Sequence, residues 1–166
     1  MPLLRSDDST LTPAIKFLEK QGVAHTVHRY ELADSQDGTY GEAVAKAIRA
    51  EPQRVFKTLI AQLHSGELVV AIVPVTGTLN LRALAASAGA KSAAMAPPQA
   101  AEKATGYVTG GISPFGQRKT LRAFADRSLE AFPKVFVSAG RRGLQVEVCS
   151  SDLVRLCRAT VFELSE

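Results

Sequence analysis

Two long apolar runs separated by a four-residue turn constrain the fold of this chain more than any other feature of its sequence. Residues 55–63 and 68–75 are rich in Val, Leu and Ile, and the turn between them contains Gly66. Apolar runs that flank a glycine-containing turn are typical of a β-hairpin, because glycine supplies the unusual dihedral of a tight connection. We therefore expect these two strands to pair antiparallel.

Helices and further strands are predicted around this hairpin at irregular intervals. Thr12 followed by Pro13 is typical of a helix start, and Gly22 of a helix end. Further helices are expected at 41–50, 81–88 (capped by Asn80), 97–104 and 151–158 (capped by Ser150 or Ser151), further strands at 23–32, 121–125, 135–137 and 144–148, and a loop at 34–39. Because helices and strands do not alternate strictly, an α/β fold with a mixed sheet or barrel is favoured over a doubly wound parallel sheet.

Length and composition fit one domain. The 166 residues are 46% hydrophobic and 22% charged, which suffices for a buried core and argues against disorder or a disulfide-stapled miniprotein. We expect a flexible leader at 1–11 and a single domain at 12–166. No apolar run approaches the roughly 20 residues that cross a bilayer, and no signal peptide is evident, so a cytoplasmic location is expected. Cys149 and Cys157 lack metal-ligand spacing and are expected to be ordinary thiols.

Positive charge is unevenly distributed along the chain. The net charge is only +4, but residues 103–145 contain eight Lys and Arg against two Asp and Glu. Such an excess indicates either a polyanionic partner or a solvated basic surface.

Lys57 is the first candidate for a functional side chain. It lies in the middle of a predicted strand, on the face that alternation assigns to Val55, Leu59 and Ala61. Burying an unpaired ammonium group costs several kcal/mol. Lys57 is therefore expected at a sheet edge, with its end reaching water, or in a polar cavity where an anion or carbonyl compensates the charge.

A glycine-rich segment at 105–116 is the second candidate. Glycines allow a ligand to approach backbone N–H groups closely, so Gly110, Gly111, Ile112 and Ser113 could hold a carbonyl oxygen or a phosphate. The spacing is neither a P-loop nor a dinucleotide-binding fingerprint, which argues against a nucleotide cofactor. The alternative is a loop or bulge that needs glycine for steric reasons.

Arginines in a turn at 138–143 are the third candidate. Arg141 and Arg142 could clamp phosphates or a carboxylate, or they could simply be solvated. The three histidines are not arranged as metal ligands, and no Gly-x-Ser-x-Gly elbow or local cysteine-hydrolase signature is present. A metal site and a serine or cysteine nucleophile are therefore not expected.

Four motifs in the same order resemble those of the YbaK family, the Cys-tRNA(Pro) deacylases related to the editing domain inserted in bacterial prolyl-tRNA synthetases. The motifs are Thr-Pro-Ala at 12–14 with Phe-Leu-Glu at 17–19, Val-Phe-Lys-Thr-Leu at 55–59, Gly-Tyr at 106–107 with Gly-Gly-Ile-Ser-Pro-Phe-Gly at 110–116, and Val-Ser-Ala-Gly-Arg-Arg-Gly-Leu at 137–144. The resemblance covers residues 12 to 164.

The resemblance implies a fold, a reaction and a mechanism. The fold would be a mixed, largely antiparallel, barrel-like sheet surrounded by helices, with a pocket for the aminoacylated adenosine at the tRNA 3′ end. The reaction would be removal of a wrong amino acid, chiefly cysteine from tRNA(Pro). Without an enzyme nucleophile, cofactor or metal, the substrate thiol would attack its own ester. Lys57 would hold the ester region, and the amides of Gly110 and Gly111 would bind the oxyanion.

The resemblance also implies a set of substrate-binding residues and one departure from the family pattern. The substrate-binding residues are Tyr30, Tyr40, Thr58, Ile112, Ser113, Ser138, Gly140 and Arg142. Several family members carry an acidic residue where this chain has Gln145. Glu147 is expected on the same strand face as Gln145, where it could compensate in part or pair with a nearby arginine.

One partner and two alternative functions are also expected. By analogy with the family, prolyl-tRNA synthetase is an expected partner that helps select tRNA(Pro). The substrate could instead be Ala-tRNA(Pro) or another mischarged tRNA. The basic clusters would also suit a noncatalytic module that binds tRNA ends or a synthetase.

Overall fold

A computed structural model of the chain describes residues 11–32 and 39–166. The helices in this part are Pro13–Gln21 (α1), Tyr40–Ala47 (α2), Leu81–Ala88 (α3), Pro98–Thr105 (α4) and Ser150–Cys157 (α5). The strands are His25–Arg29 (β1), Phe56–Leu63 (β2), Leu68–Pro74 (β3), Ala93–Met95 (β4), Arg122–Asp126 (β5), Lys134–Ser138 (β6), Leu144–Cys149 (β7) and Thr160–Phe162 (β8). Apart from Thr39, the predicted loop at 34–39 lies outside the described residues. So does the predicted leader, except Leu11, which packs against the main core.

The predicted hairpin is confirmed and forms the middle of a five-stranded sheet. β2 and β3 pair antiparallel, with Phe56 opposite Pro74 and Gln62 opposite Leu68. β4 adds to the outer edge of β2, and β5 and β8 add parallel to β3, so that the strand order is β4-β2-β3-β5-β8. The sheet therefore mixes parallel and antiparallel pairs, which confirms the predicted α/β class with a mixed sheet.

The expectation of a barrel-like sheet is corrected, because the strands form two sheets that do not close. The second sheet is antiparallel, in the order β1-β7-β6. The two sheets meet at one parallel bridge between Val55 and Phe136. Beyond this bridge, β2 pairs with β3 and β4 and no longer with β6. A gap between the sheets therefore opens just after Val55.

Local caps explain where several helices begin and end. The Thr12 hydroxyl accepts a hydrogen bond from the Ile15 N–H at 3.2 Å, and Gly22 ends α1 in the left-handed conformation. Asn80 caps α3 in the same way, as predicted. The cap predicted for α5 is wrong: the N-cap residue is Cys149, and the Ser150 hydroxyl donates instead to the carbonyl of Phe132.

Side chains from both sheets fill three apolar clusters. The largest lies between the sheets and includes Phe56, Ile72 and Val146. A second covers the other face of the five-stranded sheet beneath α3, and a third lies beneath α2 around Val55 and Phe136. None of the helices in the described part of the chain has the length and apolar character that crossing a bilayer requires.

Candidate active site

The gap between the two sheets contains a cavity of about 630 Å³. Alternation along the strands places Lys57 and Ser138, each two residues beyond the bridge, on the same side as Val55 and Phe136. Gln145 on β7 lies directly opposite Ser138 on β6. Lys57, Ser138 and Gln145 all line the cavity. Of the three locations that the sequence allows for Lys57, the structure shows the cavity, in which Lys57 is half-buried.

The start of α2 forms one wall of the cavity. Thr39 caps this helix, and Tyr40, Gly41 and Val44 line the cavity with it. A Cβ atom at Gly41 would lie 2.6 Å from the side chain of Val75 on the chain segment that follows β3. Glycine therefore allows α2 to approach the sheet closely enough to enclose the cavity.

The glycine-rich loop forms the opposite wall, through Thr109, Gly110 and Ile112. Gly110 has a φ of +96°, and a Cβ atom there would lie 2.6 Å from Nε of Arg142. The Gly111 N–H donates to the carbonyl of Val108 at 2.9 Å, whereas among the described residues no hydrogen bond occupies the Gly110 N–H. Of these two amides, that of Gly110 is the one left free to bind a ligand.

Tyr40 connects the cavity to Arg142 and to the protein interior. The guanidinium carbon of Arg142 lies 4.9 Å from the centre of the Tyr40 ring, and the hydroxyls of Tyr40 and Tyr30 share a hydrogen bond of 3.2 Å. Burial, and then the hydrogen bond to Tyr30, raises the pKa of Tyr40 above its usual range against the opposing charge of Arg142. Tyr40 is therefore a neutral phenol at physiological pH.

The chemical character of the cavity follows from the residues that line it. They are Thr39, Tyr40, Gly41, Val44, Val55, Phe56, Lys57, Thr58, Leu59, Ile60, Val75, Met95, Ala96, Pro98, Ala101, Thr109, Gly110, Ile112, Ser138 and Gln145. Lys57 is the only charged side chain in this set, which contains no His, Cys, Asp or Glu. Among the described residues of the wall, these hydroxyl groups therefore have no imidazole or carboxylate beside them to act as a general base. Among the residues that the structure describes, no group of three or more His, Cys, Asp and Glu could hold a metal ion.

Not every predicted site residue reaches the cavity. Lys57, Gly110, Tyr40, Thr58, Ile112 and Ser138 line it, whereas Tyr30, Gly111, Ser113, Gly140 and Arg142 are not among its lining residues. Ser113 is fully buried, and its hydroxyl accepts from the Phe115 N–H at 3.2 Å. A Cβ atom at Gly111 would lie 2.7 Å from the Cα of Arg141, so this glycine lets the two loops pack together.

Several apolar residues of the wall were not predicted. Met95 lies on the three-residue strand β4, and no local pattern in the sequence marks so short a strand. Gly41 is the first residue of the helix predicted at 41–50 and carries no signal of its own.

Glu147 does not compensate for the missing carboxylate at position 145. Its carboxylate lies 3.4 Å from a guanidinium nitrogen of Arg54 and 3.1 Å from Nε2 of His28. It is not part of the cavity wall. Of the two interpretations offered by the sequence, the structure supports pairing with a nearby arginine.

Only some of the Lys and Arg side chains of residues 103–145 lie near the cavity and can meet a ligand. Arg122 forms an ion pair with Glu67 at 2.9 Å and also bonds the carbonyl of Ala88. Arg142 is exposed at the edge of the cavity, against Gly110 and Tyr40. The positive charge that a ligand would meet there comes from Arg142 and Lys57.

Comparisons with known proteins identify the family of this chain. A family model for the aminoacyl-tRNA editing domain matches residues 36–156. The chain is 32% identical over 154 residues to a protein of Enterococcus faecalis (strain ATCC 700802 / V583), EbsC, which is named as a Cys-tRNA(Pro)/Cys-tRNA(Cys) deacylase; the match covers 93% of both proteins.

Two solved structures share the fold. Hypothetical protein APE2540 superposes with a TM-score of 0.82 at 21% identity, over 93% of this chain and 100% of that one. A protein described as a trans-editing enzyme for prolyl-tRNA synthetase superposes with a TM-score of 0.78 at 24% identity, over 94% of this chain and 99% of that one. The family model and the 32% identity over nearly the whole length confirm the predicted family and, with it, an aminoacyl-tRNA deacylase. The chain belongs to the aminoacyl-tRNA editing domain family.

Proposed function

We propose that the cavity binds the aminoacylated 3′ end of a mischarged tRNA and that Cys-tRNA(Pro) is the main substrate. The observation that carries this proposal is that Lys57 and Gly110 line the same cavity, in which no other charged side chain occurs among the described residues. The name of the 32% identical relative, a Cys-tRNA(Pro)/Cys-tRNA(Cys) deacylase, supports the choice of cysteine.

Lys57 and Gly110 bind different parts of the ester. The Lys57 ammonium group attracts the ester oxygens and the adjoining phosphate, and the Gly110 N–H stabilises the negative charge that develops on the carbonyl oxygen. We assign the second role to Gly110 alone, because the Gly111 N–H already donates to Val108. Tyr40 and Arg142 border the site, and Thr58, Ile112 and Ser138 shape its walls.

The nucleophile comes from the substrate. Among its described residues, the cavity wall offers hydroxyl groups without an imidazole or carboxylate to activate them, whereas a cysteinyl ester brings its own thiol. The thiolate sulfur attacks the ester carbonyl carbon, the bond from that carbon to the ribose oxygen breaks, and the ribose oxygen takes up the proton that the thiol gave up. The products are tRNA with a free 3′ end and a cyclic thiolactone, which water opens to cysteine. The protein contributes positioning and charge stabilisation.

Editing of this kind is needed because a synthetase distinguishes cysteine from proline poorly. Cysteine and proline are similar in size, and a difference of one small group gives a synthetase only about 1–3 kcal/mol of discrimination. A second site that acts on the wrong ester adds a second, independent selection.

Selection of tRNA(Pro) would need more than this cavity. Phosphate contacts position a nucleic acid without reading its sequence, so Lys57 and Arg142 cannot distinguish one tRNA from another. We therefore propose association with prolyl-tRNA synthetase in the cytoplasm, through a single domain that spans residues 12–166.

Replacing the substrate thiol tests the mechanism. We expect the wild-type protein to deacylate Cys-tRNA(Pro) fully in a time during which Ser-tRNA(Pro) stays intact, because serine differs only in carrying a much weaker nucleophile. Acid-gel analysis of both substrates measures this directly. Equal rates for the two esters would contradict the substrate-assisted step, and no release from either would contradict deacylation itself.

A further inference from the structure

The side chain of Gln145 is buried beside the cavity without a hydrogen bond. Gln145 is only 7% exposed, its Oε1 is shielded from solvent, and the structure shows no partner for its amide group among the described residues. Leaving a buried polar group unpaired costs about 1–3 kcal/mol. Such a group therefore needs an explanation, and a ligand is one.

The distribution of unpaired atoms favours a ligand over a packing defect. The described residues contain three buried side-chain oxygens without a partner, those of Thr58, Ser87 and Gln145. Two of the three, Thr58 and Gln145, line the same cavity. Unsatisfied groups are thus concentrated at the one place where a substrate would supply the missing hydrogen bonds.

Neighbouring strands do not supply a partner for Gln145. Its cross-strand neighbours are His28 on β1 and Ser138 on β6. Nε2 of His28 is engaged by Glu147, and the Ser138 hydroxyl, which accepts from the Gly140 N–H at 3.1 Å, forms no hydrogen bond with Oε1 of Gln145. The terminal amide of a glutamine turns easily about its last torsion angle, so the oxygen can be presented to the cavity.

The chemistry of an aminoacyl ester indicates which group Gln145 meets. The ester carbonyl and the phosphate are acceptors, and they suit the Lys57 ammonium and the Gly110 N–H. The α-amino group is a donor and needs an acceptor, but the cavity wall contains no carboxylate among its described residues. We propose that Gln145 is a specificity-determining residue whose side-chain carbonyl accepts a hydrogen bond from the substrate α-amino group. This inference rests on the proposed function.

A pair of substrates that differ only in the amino group tests the proposal. Wild-type and Gln145→Met proteins are assayed with cysteinyl-tRNA(Pro) and with 3-mercaptopropionyl-tRNA(Pro), which keeps the thiol and lacks the amino group. We expect the wild type to prefer the cysteinyl ester by about tenfold in kcat/KM, the value of one hydrogen bond. Gln145→Met is expected to cleave both esters at similar rates and to retain the wild-type rate on the mercaptopropionyl ester within about twofold.

Three controls make the outcome decisive. Gln62→Met, at the far end of β2 where Gln62 bonds only the carbonyl of Gly66, should keep the wild-type preference. Gln145→Glu retains an acceptor and should also keep it, which provides a second variant should Gln145→Met not fold by circular dichroism. The same assays on tRNA ending in 2′-deoxyadenosine detect a contact to the ribose instead.

Failure of this inference differs from failure of the proposed function. A wild-type protein that cleaves neither thiol ester contradicts the function. An active wild type whose preference for the amino group survives Gln145→Met, or is lost in Gln145→Glu, contradicts the role of Gln145. If Gln145→Met cleaves both esters more slowly by the same factor, Gln145 has a structural role only. If Gln145→Met no longer distinguishes tRNA ending in adenosine from tRNA ending in 2′-deoxyadenosine, Gln145 contacts the ribose instead. Either result overturns the proposal.

Discussion

Lys57 illustrates how one residue can reveal a site. An ammonium group in the middle of an apolar strand is costly unless its surroundings are polar, and the structure provides a cavity at that point in the strand. The cavity exists because β2 leaves β6 just after the bridge from Val55 to Phe136. The separation of the two sheets after this bridge thus creates the space that Lys57 lines.

Gly110 allows a test that separates backbone strain from function. Gly110 and Gly66 have almost the same φ, +96° and +97°, but a Cβ atom at Gly66 meets nothing within 4 Å. We expect Gly110→Ala and Gly66→Ala each to lose about 1–2 kcal/mol of unfolding free energy from the left-handed conformation. Only Gly110→Ala should also lose deacylation, because its methyl group displaces Arg142 and shifts the N–H. Urea unfolding and tRNA deacylation measure the two effects, and equal activities of the two variants would contradict the role of Gly110.

Cys157, which the sequence predicts to be an ordinary thiol, is expected to react slowly in the native protein. Burial raises the pKa of its thiol to about 12, so the thiol stays protonated at pH 8. We expect iodoacetamide to leave Cys157 unmodified in the native protein at pH 8 and to alkylate it after unfolding in urea. Mass spectrometry of peptides from the two samples measures this. Rapid native alkylation of Cys157 would show that the thiol is accessible and ionised.

At the scale of elements, Asp126 holds the C-terminal segment to the end of β5. Its carboxylate accepts hydrogen bonds from the N–H groups of Leu164 and Ser165 at 2.8 and 2.9 Å. Burial opposes ionisation, but these bonds and those from Ser128 outweigh it, so the pKa of Asp126 lies below its usual value of 3.8. A depressed pKa stabilises the fold above about pH 4 and loses this contribution as the pH falls through the folded-state value.

Asp126→Asn is therefore expected to destabilise the protein by about 2 kcal/mol at pH 7. The difference from wild type should shrink below pH 4, because the wild-type carboxylate then becomes protonated. Urea unfolding at a series of pH values measures both effects. As a control, Asp152→Asn in the first turn of α5 removes a surface pair with Arg155 and should cost about 0.5 kcal/mol or less. A loss at Asp126 that does not depend on pH would contradict this account.

The sequence predicts elements well where local groups fix them. The ends of α1 and α3 follow from Thr12, Gly22, Asn80 and Gly89, all of which act through adjacent backbone groups. The strands β4 and β8 were not predicted, because three residues carry no periodicity and become strands only through pairing with β2 and β5. β1 is likewise shorter than the predicted strand at 23–32, since its pairing with β7 covers only five residues.

At the scale of the molecule, Glu147 helps to hold the two sheets together. It lies on β7 of the three-stranded sheet and pairs with Arg54, which precedes β2 of the five-stranded sheet and also bonds the Lys134 carbonyl. We expect Glu147→Gln to lose about 1 kcal/mol of unfolding free energy and to retain deacylation within about twofold. Thermal unfolding and the tRNA assay measure these values. A large loss of activity in a folded variant would show that Glu147 does act in the site.

Some residues of the cavity wall could be predicted from the sequence, but the shape of the cavity could not. Lys57 and Gly110 belong to motifs that carry the family resemblance, Tyr40 is one of the substrate-binding residues that the resemblance implies, and all three line the cavity. That Gly111 would turn its amide to Val108, or that Arg142 would lie over Tyr40, depends on loop conformation and packing that no local pattern encodes. The separation into two sheets likewise depends on pairing between distant strands.

Deacylation of a tRNA panel by wild-type and Lys57→Ala proteins tests the central claim most directly. We expect the wild type to release cysteine from tRNA(Pro) faster than alanine or proline. Lys57→Ala should fall by at least about 100-fold without a change in melting temperature, while Lys46→Ala on the exposed face of α2 keeps the wild-type rate. Undiminished turnover by a folded Lys57→Ala protein, or salt-sensitive tRNA binding by the wild type without cleavage of any ester, would contradict the account.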